Sequence, residues 1–465
     1  MKFRPVAQNR KGGRSAAIMP PANGTPRVSV HTLGCKLNYA ETSQIAESFV
    51  AAGAELVLFG ERSDVFVLNT CSVTENAERE CRQIVRRVLR NAPDTSVIVT
   101  GCYAQLRPEE IASIDGVDLV LGTKEKLEVS KYAVGLRKSD GPRVVVSEIG
   151  ESSDFHFAET AEGDSRTRAF LKVQDGCDYS CSFCTIPKAR GTSRSARVDD
   201  ILSRARRLCE EGFREIVLSG VNVGDFGHKT GTSFFELAKA IDSESEITAR
   251  IRISSIEPNL LTDEIIELVA TSCKFCPHFH IPLQSGSSKI LRTMRRRYQP
   301  ELYQRRIERI KAIMPDAAIG ADVIAGFPGE TDADFRDSTE LINSLDLTYL
   351  HAFTYSERPG TVAASMPDQV PIHVRRERTR VLRTVSDKKR NAFYALQLGK
   401  EADILLEPNG EGYSENYVRV RLSQAVPNDA ELVRARLMEM KGDTIQAEPL
   451  QVLGTRREEV LLKIL

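Results

Sequence analysis

From Arg27 to about Lys138, short β-branched runs alternate with stretches of helical period. "RVSVHTLG" predicts a strand, and "YAETSQIAESFVAAG" an amphipathic helix ended by Gly53. "DVFVLNT" predicts the next strand, "ENAERECRQIVRRVLRN" a helix and "TSVIVTG" another strand. Strands separated by helices return in the same direction, so this region is expected to form a doubly wound parallel sheet. Residues 148 to 164 break the pattern, with Glu148, Glu151, Asp154, Glu159, Glu162 and Asp164 set among Ser, Gly and Thr. That composition predicts an acidic linker containing a domain boundary.

The alternation resumes at Arg168, with candidate strands "AFLKVQ", "EIVLSG", "RIRISS", "HFHIPL", "IGADVIAG" and "TYLHAF", each followed by a helical stretch. Six such units predict a partial (β/α)6 parallel barrel rather than a full one of eight. A long polar helix follows from about Val370 to Leu398, ended by Gly399. In "EADILLE", "YSENYVRVRL" and "ELVRARLMEM" the period then becomes two, with turn signals at Asn409-Gly410 and Asn428-Asp429, which predicts a small antiparallel β-barrel. The expected organisation is α/β: a tail over 1–25, a first domain over 26–140, a linker over 141–165, the barrel and its trailing helix over 166–398, and the terminal barrel over 399–465.

A chain of 465 residues is too long for one ordinary core, which agrees with several domains. Lys+Arg and Asp+Glu both number 64, so any surface suited to a polyanion must be local. No apolar run approaches a membrane span. The start carries Lys2, Arg4, Arg10, Lys11 and Arg14, no acid before Glu41 and no apolar signal core. A disordered basic tail is expected there, with a transit peptide as the alternative. Ten cysteines without a secretory signal, six of them in tight motifs, point to a reducing, cytoplasmic setting and to metal or redox chemistry.

Cys177, Cys181 and Cys184 lie within eight residues directly after the first barrel strand, at the end where parallel barrels gather their active sites. Three thiolates on one loop can each bind one iron of a four-iron cluster and leave the fourth iron open, as a catalytic metal site requires. A zinc knuckle would need a fourth ligand close by, and none follows within twenty residues. The first domain has a second trio: Cys35 in "TLGCKLN", Cys71 in "LNTCSVTE" and Cys102 in "VTGCYAQ", each directly after a predicted strand. In a parallel sheet the strand C-termini share one edge, so the three thiolates could converge on a second cluster. Gly34 and Gly101 would permit close backbone approach. The bland alternative is three small buried side chains. Core positions are expected for Cys81 and Cys209, and a structural or incidental role for Cys273 and Cys276.

The C-x3-C-x2-C loop resembles the signature of the radical S-adenosylmethionine superfamily. The two trios in this order, followed by a small barrel, are similar to the methylthiotransferase family within it. The resemblance implies two [4Fe-4S] clusters, a radical core and a terminal RNA-binding TRAM domain. It implies that S-adenosylmethionine chelates the open iron beside Cys177, Cys181 and Cys184, and that its cleavage gives a 5′-deoxyadenosyl radical. The second cluster would carry the sulfur, which a second S-adenosylmethionine methylates. A low-potential donor such as a flavodoxin or ferredoxin is the implied partner. Phe183 fits the aromatic expected before the last cysteine. Cofactor contacts are expected at strand ends from Gly220, Asn222, Glu257, Gln284, Ser285 and Asp322, each of which is otherwise an ordinary strand-end residue.

"TLGCKLN", "CSFCTIPKARG" and "SGVNVGDFG" resemble the bacterial branch that acts on threonylcarbamoyl-adenosine beside the anticodon of tRNA. A branch acting on isopentenylated adenosine is the alternative, as is a non-catalytic iron–sulfur protein that binds RNA or senses oxidation. For an RNA substrate, Arg295, Arg296 and Arg297 with Arg292 form a local basic run beside Tyr298, able to stack on a splayed base. The helix "VRRERTRVLRTVSDKKR" adds charge, or else is a solvated face paired through Glu377 and Asp387. In the terminal barrel Tyr413, Tyr417, Arg419 and Arg421 are candidate contacts, or strand-formers on a soluble face.

Overall fold

The computed structural model describes residues 25–71, 76–136, 138, 141–149, 155–160, 167–407 and 410–455. The expected tail up to residue 24, most of the acidic stretch and residues 456–465 lie outside the described residues.

Six parallel strands form the first sheet: β1 (Arg27–Thr32), β2 (Glu55–Val57), β3 (Val65–Thr70), β4 (Ser96–Gly101), β5 (Leu119–Leu121) and β6 (Arg143–Val145). Their order is β2-β1-β3-β4-β5-β6. Strands β3 and β4 are buried at every position. Val65–Leu68 and Val97–Val99 are apolar because helices cover both faces, giving one core around Phe49 and Leu119 and another around Phe66 and Val85. Strand β6 falls in the stretch expected to be linker. The short Val-rich run "RVV" completes the sheet by pairing with β5. Glu159 also departs from the solvated role expected for that stretch: it is buried and paired with Arg204 and Arg207.

The second unit contains β7 (Arg168–Lys172), a two-residue ladder of β8 (Gln174–Asp175) with β9 (Arg194–Ser195), and then β10 (Glu215–Ser219), β11 (Arg250–Ile253), β12 (His278–His280), β13 (Ala318–Ala325) and β14 (Tyr349–Thr354). β7, β10 and β11 pair in parallel, as do β12, β13 and β14. Parallel bridges Ile251–Phe275 and Ser255–His280 join the two halves. All six expected strands are present and make an open parallel barrel. Its outer face packs on helices through Ile216, Leu218, Ile251, Ile319, Ala321 and Leu350.

The helix Ile372–Gln397 leads to a closed barrel of β15 (Glu401–Leu406), β16 (Glu411–Tyr413), β17 (Arg419–Leu422), β18 (Ala430–Lys441) and β19 (Thr444–Thr455). This barrel is not wholly antiparallel as expected: β17 and β19 close it in parallel. Strand β19 carries little period-two signal, and its place is set by the long hairpin with β18. The terminal barrel sits at the N-terminal ends of the core strands. Arg250 donates to the Asp403 and Tyr413 carbonyls at 2.8 and 2.9 Å, and Asn416 to the Asp316 carbonyl at 3.0 Å. The C-terminal mouth of the open barrel is left to the first domain.

Candidate functional site

The Cys177–Cys184 loop begins at Gly176, whose φ is +71°. A Cβ there would lie 2.0 Å from the Thr192 carbonyl oxygen, so the turn requires glycine. The loop is pinned by Cys177 N–H to the Gly191 carbonyl at 3.0 Å and Ser182 N–H to the Met294 carbonyl at 3.1 Å. Each sulfur accepts a hydrogen bond: Cys177 from Tyr179 N–H at 3.4 Å, Cys184 from Ile186 N–H at 3.4 Å, and Cys181 from Arg296 Nη1 at 3.1 Å. Burial pushes the Cys177 thiol up to about 12 and raises those of Cys181 and Cys184. Such thiols ionise when a metal displaces their protons, and donors aimed at all three sulfurs suit metal-bound thiolates. The three sulfurs do not converge to single-ion range; among the described residues only His280, Asp322 and His351 do. This spread is wider than a single ion draws its ligands and fits a cluster that takes each thiolate on a separate iron. When bound, such a cluster supplies an electron and one iron open to an outside ligand.

The other expected residues divide. The Glu257 carboxylate pairs with Arg296, which also holds Cys181, and burial raises that carboxyl despite Arg296. Asn222 accepts from Glu257 N–H through its side-chain oxygen at 3.4 Å, and its own N–H donates to Gln174 Oε1 at 3.0 Å. Its Nδ2 is buried without a partner, a donor aimed at something the protein does not supply. Gly220 lies against Gln174, where a Cβ would sit 2.9 Å from Oε1. Gln284 has φ +63° and is bridged to Val323. Phe183 packs edge-on to Phe327 at 6.4 Å. Ser285, next to Gln284, is buried and its hydroxyl meets Ser338 Oγ at 3.2 Å.

β1, β3 and β4 are adjacent, so Cys35, Cys71 and Cys102 stand at three neighbouring strand ends. The loops there are cross-tied. Asn38 Nδ2 donates to the Leu33 and Thr70 carbonyls at 2.9 and 2.8 Å, and Thr70 Oγ1 to the Thr100 carbonyl at 2.6 Å. Gly34, at φ +101°, has no room for a Cβ, which would lie 2.7 Å from Cys71 Sγ.

Sequence reasoning missed the charges between the two trios. Arg190, six residues after Cys184, forks onto Glu41 at 3.0 Å to each carboxylate oxygen and reaches Asp175 at 3.0 Å and Asn38 at 2.7 Å. Lys126 and Lys172 add to Glu41 at 2.5 and 3.3 Å, and Arg194 to Asp175 at 3.0 Å. Four cations therefore share two buried carboxylates. Burial raises the Cys102 thiol while Arg190 and Lys126 oppose that rise, so the surplus positive charge faces this trio. Three thiolates holding a cluster would balance it, which makes these residues a fit for the second group. The available signal was Glu41 itself, an acid on the buried face of the first helix.

The lumen also differs from expectation. Tyr298 does not face solvent to stack on a base: it is buried, and its hydroxyl donates to the Pro282 and Leu283 carbonyls at 2.7 and 2.9 Å. Arg296 is turned inward, whereas Arg295 and Arg297 are exposed and Arg297 lies over the Tyr179 ring at 3.9 Å. Tyr417 lies at the interface with the terminal barrel, 4.5 Å from the His278 ring and stacked with Tyr413 at 4.9 Å. Arg419 and Arg421 both pair with Glu411. Higher up, His280 Nδ1 meets Ser255 Oγ at 2.6 Å and its Nε2 approaches Asp322 at 3.1 Å. Burial works against the Asp322 charge, but His280 and then His351 hold its carboxyl below the ordinary range. The protein around it, then Arg252 and Arg168, pull the Lys36 ammonium down to about 8, while Glu215 and Asp322 act the other way.

Residues 27–122 match "Uncharacterized protein family UPF0004" and residues 171–342 the "Radical SAM superfamily". The chain is 38% identical to the threonylcarbamoyladenosine tRNA methylthiotransferase MtaB of Bacillus subtilis, over 88% of this chain and 93% of that one. It is 36% identical to the protein of the same name from Aquifex aeolicus, over 85% and 96%. It is 33% identical to a tRNA-2-methylthio-N(6)-dimethylallyladenosine synthase of Cereibacter sphaeroides, over 91% and 98%. A solved radical S-adenosylmethionine methyltransferase, TsrM from Kitasatospora setae, shares the fold at a TM-score of 0.55 and 14% identity, over 73% of this chain and 75% of that one. With two cysteine trios at the ends of parallel strands and relatives alike along nearly their whole length, the chain belongs to the methylthiotransferase family of radical S-adenosylmethionine enzymes.

Proposed function

We propose that this protein is a tRNA methylthiotransferase that replaces the C2 hydrogen of N6-threonylcarbamoyladenosine, beside the anticodon, with a methylthio group. The observation carrying this reading is the pair of cysteine trios on two strand-end edges joined by one buried charge network, in a chain whose better-matching relatives bear that substrate in their names. Cys177, Cys181 and Cys184 hold the cluster at which S-adenosylmethionine is cleaved, and Cys35, Cys71 and Cys102 hold the second. Glu257, Asn222, Gly220 and Gln284 face the S-adenosylmethionine, Phe183 backs the loop, and Arg295 and Arg297 meet the RNA. Arg296 is a positioning residue that fixes Glu257 against the Cys181 sulfur. The ranges expected for the three domains stand within this reading, with the first extended through β6 and the terminal barrel acting as a TRAM-like RNA contact. The electron donor is a low-potential flavodoxin or ferredoxin, and the enzyme works in the cytoplasm. No described helix is long and apolar enough to cross a membrane.

The test is mass spectrometry of nucleosides from bulk tRNA, in a strain lacking the gene and in one with it restored. Loss and return of the methylthio group on threonylcarbamoyladenosine supports the reading. Loss from the dimethylallyl nucleoside instead would move the substrate to the other branch, and no change in either would favour a sensor.

A further inference from the structure

The inner face of the open barrel is chemically lopsided. Phe279 of β12, Ile319, Ala321 and Val323 of β13, and Leu350 and Ala352 of β14 pack outward into the helical core. Their alternates, His278 and His280, Gly320 and Asp322, and Tyr349 and His351, therefore face the lumen. A full parallel barrel fills its interior with branched aliphatics; this half presents imidazoles, a carboxylate and a phenol.

Strand register sets these groups in two layers. His278 and Tyr349 form the lower one, joined at 2.9 Å, with the Tyr349 ring lying where a Cβ on Gly320 would stand. His280, Asp322 and His351 form the upper one. Asp322 is the direct partner of His351 in the β13–β14 ladder, and His280 pairs with Gly320, which precedes Asp322 on the same face. One ligand atom from each of these three side chains lies within 4.8 Å of the other two. They stand on three adjacent strands, so the backbone fixes their spacing.

His280 is also held from behind, its Nδ1 meeting Ser255 Oγ at 2.6 Å. With the Nδ1 proton on that hydroxyl, Nε2 carries the lone pair, the form of imidazole that binds metals. Nε2 stands 3.1 Å from Asp322 Oδ1, yet it is buried and makes no hydrogen bond. A lone pair and a carboxylate oxygen this close, with no proton aligned between them, call for a shared cation. Their separation is also about the distance between two neighbouring ligands held roughly 2.1 Å from one ion. Arg296, whose charge also reaches Asp322, is already matched by Glu257.

We propose that His280, Asp322 and His351 bind a single divalent first-row metal ion, in addition to the two iron–sulfur clusters. Two imidazoles and one carboxylate suit zinc or iron(II), and not magnesium or calcium, which take mostly oxygen ligands. Three protein ligands leave positions open toward the lumen, as catalytic metal sites do, and the ion there takes an oxygen donor from water or from the bound substrate. The inference stands whichever nucleoside is modified.

The test uses the reconstituted holoenzyme, both clusters in place, dialysed against zinc chloride without oxygen. Metal analysis is expected to find about one zinc per chain beside about eight irons. X-ray absorption at the zinc edge is expected to show nitrogen and oxygen neighbours at about 2.0–2.2 Å, the outer scattering of imidazole, and no sulfur. Asp322→Asn and His351→Ala are each expected to lose the zinc and keep the iron. Ser255→Ala is expected to weaken zinc binding about ten- to a hundred-fold, read by calorimetric titration. Absence of zinc from the wild type would overturn the proposal. So would a sulfur shell around the ion, which would place it on cysteines such as Cys273 and Cys276. Full zinc occupancy in both Asp322→Asn and His351→Ala would overturn it too. The wild-type results need no variant and so stand even if a variant misfolds.

Discussion

Arg190 and Glu41, 149 residues apart, are joined by two hydrogen bonds of 3.0 Å, both side chains buried. One belongs to the helix that follows the Cys177–Cys184 loop, the other to the helix that follows Cys35. A single planar contact thus fixes the two cysteine-bearing edges relative to each other, with Asn38 and Asp175 each taking one further donor. Sulfur transfer between two sites on different domains needs such a fixed separation.

Breaking this pair one residue at a time should be costly, because each single change leaves a buried charge uncompensated. Glu41→Gln and Arg190→Gln are each expected to lose about 3–5 kcal/mol of stability. The double variant should lose less than the sum. Urea denaturation of all four proteins measures the coupling, and strict additivity would mean the two groups act independently.

Acid should loosen the floor of the barrel. Glu215 is buried; burial would raise its carboxyl, but Arg252 and Arg250 hold it well below the ordinary range. A carboxyl depressed in the folded state contributes stability that is present above its unfolded pKa of about 4.3 and is lost as pH falls through the folded value. Stability against urea is therefore expected to fall with pH below about 4.5. Part of that slope should vanish in Glu215→Gln. An unchanged slope in that variant would place the acid sensitivity elsewhere.

The two trios should separate by variant. Cys177→Ala is expected to abolish 5′-deoxyadenosine production. Cys71→Ala should lose roughly half of the bound iron, as two similar clusters imply, while S-adenosylmethionine cleavage persists and methylthio product disappears. Iron analysis beside 5′-deoxyadenosine yield distinguishes the two. Loss of cleavage in Cys71→Ala would show that the trios do not act separately.

Two glycines give the same separation by sterics. Gly176→Ala puts a Cβ against the Thr192 carbonyl, and Gly34→Ala puts one 2.4 Å from Cys71 Cβ. Both positions also have positive φ, so each substitution is strained, by about 1–3 kcal/mol. Gly176→Ala should lower S-adenosylmethionine cleavage. Gly34→Ala should spare cleavage and reduce iron in the first domain, read by the same two assays.

By itself the sequence determined the six core strands, three strands of the first sheet and the strand-end positions of all six trio cysteines. Hydrophobic period and strand-end placement are local properties, and parallel sheets bring their strand ends to one edge whatever the remaining contacts are. Tertiary structure decided what lies between those edges. Arg295, Arg296 and Arg297 are alike in sequence, yet only Arg296 turns inward to Glu257 and Cys181. Tyr298 and Tyr417 carry the composition of RNA contacts but are spent on packing. The strand β6 and the parallel closure of β17 on β19 depend on partners far along the chain. The seating of Tyr39 and Ala40 depends on how the first helix docks against Phe170 and Val217. These outcomes are set by pairing and charge compensation between residues from different segments, and a linear pattern holds no record of which distant groups will meet.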